Sequence, residues 1–346
     1  MTAEAGDAGQ EGHPESGGGL SIWRVLLGLY ALTLVASWIA MWLNKPELAA
    51  YPREGFAFLE VPAMGAEGLR LSGGEPVQLA YIDAGPQDAP VILAMQGSPG
   101  SGSDFRSLIP RLEDRFRIIA PDMPGFAQST RDAPDLSVRA HAGYCLALLD
   151  HLGIDRFHAL GFSMGGGVGL ELIERVPARV QSLTLLAAIG VIELELLGSH
   201  TLNHGIHGLQ LAAFQGIRWL VPHFGAFDRS VLGIPYARNF YDTDQRRLRP
   251  ILETMEQPLL IVHGEDDFLV PLAAAEEHRR IVPQAELEVL AAPASHFLPW
   301  SHPAVVSDRI AAFLDRVEAG AARTRSSAEP ARIAAALEPF DTSKLP

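Results

Sequence analysis

Six short apolar runs, each four or five residues long, recur between residues 91 and 290: Val91 to Met95, Arg117 to Ala120, Arg156 to Leu160, Leu183 to Ala187, Leu259 to Val262 and Leu287 to Leu290. Runs this short and this apolar suit strands buried on both faces rather than amphipathic helices. Between and after them lie segments of helical period, Ser103 to Leu112, Leu136 to Leu152, Met164 to Arg175, Leu272 to Ile281 and Ala304 to Val317. Strands alternating with helices predict an α/β fold with a mostly parallel sheet covered on both faces. In such sheets ligands bind beyond the carboxyl ends of the strands, so the residues just after each run carry the chemistry.

Three of those strand ends hold the groups needed for nucleophilic catalysis. Gly161-Phe162-Ser163-Met164-Gly165 follows the third run and opens a helix rich in glycine. Flanking glycines let the chain turn tightly and leave a serine hydroxyl exposed at the tip. Past the run at 259 to 262 comes His263-Gly264-Glu265-Asp266-Asp267, and past the run at 287 to 290 comes Ala294-Ser295-His296-Phe297. A carboxylate there can orient an imidazole, and an imidazole can take the serine proton. The register Gly-x-x-Asp-x-x-Val-Pro selects Asp267 over Asp266 and Glu265. His302 starts the last helix, and His263 reads as a core histidine at a strand end.

The order Ser163, Asp267, His296 resembles that of the α/β-hydrolase family, over about Gln78 to Leu314. Gln96-Gly97-Ser98-Pro99-Gly100 is similar to its oxyanion loop, and Pro121 to Ser129 to its Pro-Asp-x-Pro-Gly-x-Gly-x-Ser segment. Leu79 to Gly85 resembles the strand before that loop. Two positions depart from the pattern: Gln96 stands where histidine is usual, and Ala127 where glycine is common. The resemblance implies an α/β-hydrolase fold and a serine-nucleophile branch with a helical cap over the active site. It also implies an oxyanion hole made by the backbone N–H groups of Ser98 and Met164. Serine at the elbow argues against the epoxide hydrolase and haloalkane dehalogenase branches. Carboxylic ester hydrolysis through an acyl-enzyme is the leading expectation. An amidase or aminopeptidase, a carbon–carbon bond hydrolase, a perhydrolase and an acyltransferase use the same groups. An inactive, membrane-tethered binding protein is the non-enzymatic alternative.

The amino terminus makes a separate argument. Residues 1 to 20 are rich in Gly, Ala and Glu and read as a disordered tail. Val25 to Leu43 then runs for 19 residues without a charge. At ~1.5 Å per residue this spans about 28 Å, close to a bilayer's hydrocarbon core. Arg24 and Lys45 bracket it, and Trp23, Trp38 and Trp42 lie near its ends as interfacial anchors do. A cleaved signal peptide would have a shorter apolar run and a small-residue cleavage site. The expectation is a single-pass membrane helix at 21–44. A short tail before a first apolar segment favours an extracytoplasmic catalytic domain.

The expected division is a hydrolase core at 51–189 and 254–317, a helical cap at 190–253 and a flexible tail at 318–346 with a short helix around 331–337. The cap segment holds Leu194, Leu196, Leu197, Leu209, Leu211, Phe214, Trp219, Leu220, Val221 and Phe224. Most of these should pack on the core, and some should line a pocket for a lipophilic acyl substrate. His200, His204 and His207 share a helix face, but no carboxylate or cysteine completes a metal set, so neither metal nor cofactor is expected. A net charge of −14 argues against nucleic acid. The single cysteine, Cys145, lies in a helical segment and reads as a small buried apolar group.

Overall fold

The computed structural model describes residues 21–43, 55–195, 197–223, 233–322 and 324. The expectations for the tail at 1–20, for Leu196 and Phe224, and for the helix around 331–337 lie outside the described residues. By its internal contacts the chain divides into two units, one of residues 48–216 and 226–346, the other of 1–47 and 217–225.

The larger unit is built on one sheet of eight strands: β1 (Ala57–Val61), β2 (Val77–Ala84), β3 (Val91–Met95), β4 (Arg117–Pro121), β5 (Phe157–Phe162), β6 (Val180–Leu186), β7 (Leu259–Gly264) and β8 (Glu286–Leu290). Their order is β1-β2-β4-β3-β5-β6-β7-β8. From β4 through β8 every pairing is parallel, while β1 and β2 add an antiparallel edge. The registers Leu93↔Ala159 and Leu185↔Ile261 align the central strands. All the residues of β3, β4, β5 and β7 are buried, as expected of strands covered on both faces.

Alternation along these strands separates two apolar layers. Leu93, Ala159, Leu183, Leu185 and Ile261 face α3 (Val138–His151) and α4 (Met164–Arg175), with Tyr144, Leu148, Leu170 and Leu172 in the same layer. Ile92, Leu160, Leu186 and Val262 form the other layer with α2 (Ile109–Leu112) and α10 (Pro303–Glu318), through Leu112, Ile310 and Phe313. A helix expected at 103–112 is split. Ser101 caps a short 3-10 turn at Gly102–Phe105, and Pro110 then starts α2 afresh.

Between β6 and β7 the described residues include α5 (His200–Leu220), α6 (Ile234–Asp242) and α7 (Leu248–Thr254). Then α8 (Leu272–Ile281) links β7 to β8, and the short α9 (Leu298–Ser301) precedes α10. The smaller unit holds α1 (Ile22–Leu43), whose apolar side chains are largely exposed. Within it the rings of Trp38 and Trp219 meet edge to face at 5.9 Å, and those of Tyr30 and His223 at 5.7 Å.

Candidate active site

Ser163 stands at the step from β5 into α4, with φ 53° and ψ −118°. A non-glycine residue there is strained by about 1–3 kcal/mol, and surrounding contacts hold it in place. The Ser163 N–H donates to the Leu186 carbonyl at 3.0 Å, and its own carbonyl accepts from Gly166 and Ile189. Glycine at 165 is required by space: a Cβ would lie 2.0 Å from the Met95 carbonyl oxygen at the end of β3. The elbow is thus pressed against the loop that follows β3.

That loop is fixed from behind. Gln96 is fully buried and its Oε1 accepts the Met123 N–H at 3.1 Å. Asp122 accepts from the backbone N–H groups of Gly102 at 2.7 Å and Gln128 at 2.9 Å. Asp104 accepts the Ser101 N–H at 3.1 Å, and burial pushes its carboxyl up to about 7. A Cβ on Gly97 would touch Ser163 Cβ at 3.2 Å, so this loop lies beside the serine. Neither the Ser98 nor the Met164 backbone N–H donates to a carbonyl or side chain among the described residues. The Ser98 hydroxyl oxygen is also buried without a partner.

On the other side, Asp267 and His296 are in contact. Asp267 Oδ2 lies 2.8 Å from His296 Nδ1, while Oδ1 accepts the N–H groups of Leu269 and Val270, both at 2.9 Å. The Asp267 side chain is wholly buried, whereas Asp266 is exposed. Gly264 allows the two loops to meet, since a Cβ there would strike the carbonyls of Ala294 and Ser295. The His296 ring lies 5.2 Å from that of Phe162, the residue before Ser163. Among the described residues no hydrogen bond joins Ser163 Oγ to His296. Apo sites often show this slack before substrate binds.

Other groups around the candidate site bear on its chemistry, and His263 is the core histidine that its place at a strand end led one to expect. His263 is buried with Nε2 2.8 Å from the Val270 carbonyl and 3.3 Å from Asp267 Oδ2. Burial lowers its pKa, and lowers that of the nearby His278 to about 3, so neutral imidazoles back the carboxylate. Phe162, Phe297 and Trp300 form an aromatic group around His296. Ala127, at the position where glycine is common, takes φ 44°, a left-handed conformation costing about 1–2 kcal/mol without glycine. His302 is the residue that precedes α10, and Cys145 is buried with its thiol pushed up to about 12.

Among the described residues no set of three His, Cys, Asp or Glu side chains could hold a metal ion. His204 stacks on Tyr241 at 4.1 Å, and His207 Nδ1 pairs with the Asn203 carbonyl at 2.7 Å. A depression of about 400 Å³ lined by Glu174, Arg246, Arg247 and Thr254 includes no residue of the candidate site.

Residues 90–211 match the family model described as the alpha/beta hydrolase fold. The solved structure of a membrane phospholipase A, described as a bacterial virulence factor, superposes with TM-score 0.58 at 22% identity, covering 86% of this chain and 99% of that one. The chain has the α/β-hydrolase fold. A thermophilic esterase from Thermogutta terrifontis gives TM-score 0.56 at 21% identity, over 75% of this chain and 99% of that one. Among curated relatives, 2-hydroxy-6-oxo-2,4-heptadienoate hydrolase of Pseudomonas putida is 28% identical over 63% of this chain and 86% of its own. A dihydrolipoyllysine-residue acetyltransferase component from Pseudomonas putida is 28% identical over 68% and 66%. Esterase, lipase and hydrolase neighbours together support hydrolytic activity as the family-level function.

Proposed function

We propose that this chain is a membrane-anchored serine hydrolase that cleaves a carboxylic ester. The observation that carries the reading is the Asp267–His296 contact at 2.8 Å, set beside a strained Ser163 whose neighbouring N–H groups, at Ser98 and Met164, have no acceptor among the described residues. His296 takes the proton of Ser163 Oγ as that oxygen adds to the ester carbonyl. Asp267 holds the imidazole in the tautomer that accepts at Nε2, and stabilises the imidazolium. The N–H groups of Met164 and Ser98 receive the oxyanion. His296 then protonates the departing alcohol, and water repeats the sequence to free the acid and restore Ser163.

The anchor is α1. Its span from Ile22 to Ala40 is long and apolar enough to cross a membrane. A tether of this kind would keep the enzyme where lipophilic esters concentrate, and the likeness to a membrane phospholipase A favours the same setting.

A second reading has its own support. Relatives named 2-hydroxymuconate semialdehyde hydrolase and 2-hydroxy-6-oxo-2,4-heptadienoate hydrolase favour cleavage of a carbon–carbon bond beside a carbonyl by the same residues. Turnover by the full-length protein in detergent separates the two, using aryl esters of increasing acyl length alongside a 2-hydroxy-6-oxo-dienoate. The ester reading expects saturable hydrolysis of the longer acyl esters. Turnover of the dienoate alone would replace it with the second reading.

A further inference from the structure

Asp267 sits in a turn whose two ends are tied together by a side chain. His263, near the end of β7, is buried, and its Nε2 lies 2.8 Å from the carbonyl oxygen of Val270, seven residues along the chain. A carbonyl only accepts, and burial keeps the ring neutral, so the single ring hydrogen is on Nε2 and donates to Val270. The same Nε2 is 3.3 Å from Asp267 Oδ2, the oxygen that meets His296 Nδ1 at 2.8 Å. The positive end of the His263 N–H dipole therefore lies beside the carboxylate.

The contacts close a ring. Val270 gives its carbonyl to His263 and its N–H to Asp267 Oδ1, and Leu269 gives its N–H to the same oxygen. The Asp267 N–H donates to the Gly264 carbonyl at 3.3 Å, beside His263 in the chain. Strand β7 pairs with β8 in the register His263↔Val289. The N–H groups of Glu265 and Asp266 donate to Leu290 and Ala294, in the segment leading to His296. An apolar side chain at 263 would fill the space, yet would leave the Val270 carbonyl without this donor and Asp267 Oδ2 without the nearby N–H.

We propose that His263 is a positioning residue of the candidate site: its Nε2–H clamps the turn that carries Asp267 and tempers the pull of that carboxylate on a proton at His296. The proposal rests on the reading of Ser163, Asp267 and His296 as the reacting groups, and His263 acts through Asp267. Removing the N–H has two separable consequences. The turn loosens, which slows the reaction at every pH. The carboxylate also presents more of its charge to the imidazolium, so His296 keeps its proton to higher pH. A turn that merely loosened would do the opposite, because a carboxylate that drifts from His296 favours the imidazolium less. Three titratable groups face His263: Asp267 in its own turn, His296 from the loop after β8, and His278 from α8. Burial lowers the His278 pKa to about 3, so the charges that His263 meets are those of Asp267 and His296.

The test is the rate at which a fluorophosphonate labels Ser163 in the full-length protein, measured between pH 5 and pH 9. His263→Met and His263→Gln have side chains of similar length, and only glutamine carries an N–H donor. Labelling needs the neutral His296, so the rate falls along an acid limb. For His263→Met the proposal expects a plateau about tenfold lower and an acid limb displaced upward by about half a unit to one unit. For His263→Gln it expects the limb of the unsubstituted protein and most of its plateau. A methionine variant that is folded by circular dichroism, but whose limb stays in place or moves down, would overturn the proposal. A glutamine variant no better than methionine would overturn it too. If the methionine chain does not fold, the glutamine chain decides: the unsubstituted limb supports the proposal and a displaced limb overturns it. An unsubstituted protein that is not labelled at Ser163 would instead remove the underlying reading of the site, and the proposal with it.

Discussion

The two arms of the candidate site are finished to different degrees. On the acid arm every polar atom of Asp267 is committed, with Oδ1 on two backbone N–H groups and Oδ2 on His296. On the proposed oxyanion arm the backbone is equally fixed from behind, by Gln96, Asp104 and Asp122, yet among the described residues the N–H groups of Ser98 and Met164 have no hydrogen-bond acceptor. The difference fits what the proposed reaction asks of each arm. An orienting carboxylate works best when it cannot move, whereas a transition-state donor must be rigid and vacant until charge develops before it.

Asp267→Asn breaks the acid arm and should cost the most. An amide at that position favours the wrong imidazole tautomer, and turnover should fall by about 10³- to 10⁴-fold. Asp266→Asn, on an exposed side chain, should change turnover by less than about twofold. Steady-state kinetics of the pair decide the register, and a crippled Asp266→Asn with an active Asp267→Asn would reverse it.

Gln96→Ala loosens the oxyanion arm without touching either donor. The Met123 N–H loses its acceptor, and a shift of the loop by a fraction of an ångström should lower kcat by about 10- to 100-fold with little change in KM. Gln96→Glu keeps the acceptor, so it should recover more activity than the alanine variant. Equal losses in both would mean that the hydrogen bond is not what holds the loop.

The smallest expected effect concerns stability. Burial raises the Asp104 carboxyl to about 7, above its usual value of 3.8. The folded state therefore keeps a proton that the unfolded chain has lost. Its stabilising contribution is complete below pH ~4 and is lost as the pH rises through 7. Asp104→Asn keeps an acceptor for Ser101, and should remove about 2 kcal/mol of that loss after allowance for partial solvent screening. Denaturant unfolding at pH 5 and pH 8 measures it. A pH dependence unchanged in the variant would show that Asp104 ionises normally.

How much of this was legible in the sequence depended on how local the signal was. Both β3 and the helices α4 and α8 begin and end where the apolar period changes. Elbow glycine, apolar strand and helix start coincide within a few residues at Ser163. By contrast β1, with Ala57-Phe58-Leu59-Glu60-Val61 mostly half-exposed at the sheet edge, has no continuous apolar run to mark it. Its existence depends on pairing with β2, which is a tertiary fact. The same holds at the site. Asp267 and His296 each follow a strand and could be found by position. The neutral His263 and the bracket made by Gln96 and Asp122 depend on contacts between segments 7 to 27 residues apart. The departures at Gln96 and Ala127 were visible as letters, but only the structure gives them a cause. Glutamine supplies the acceptor for Met123, and Ala127 bears a left-handed conformation that glycine would adopt freely.

The most direct test is intact-mass and peptide analysis after treating the full-length protein with a fluorophosphonate. An activated serine displaces fluoride and keeps the phosphonyl group, so the central claim predicts one adduct, located on Ser163. It also predicts none in Ser163→Ala and a much slower reaction in Asp267→Asn. An adduct on another residue, or one that persists in Ser163→Ala, would contradict the assignment of Ser163 as nucleophile.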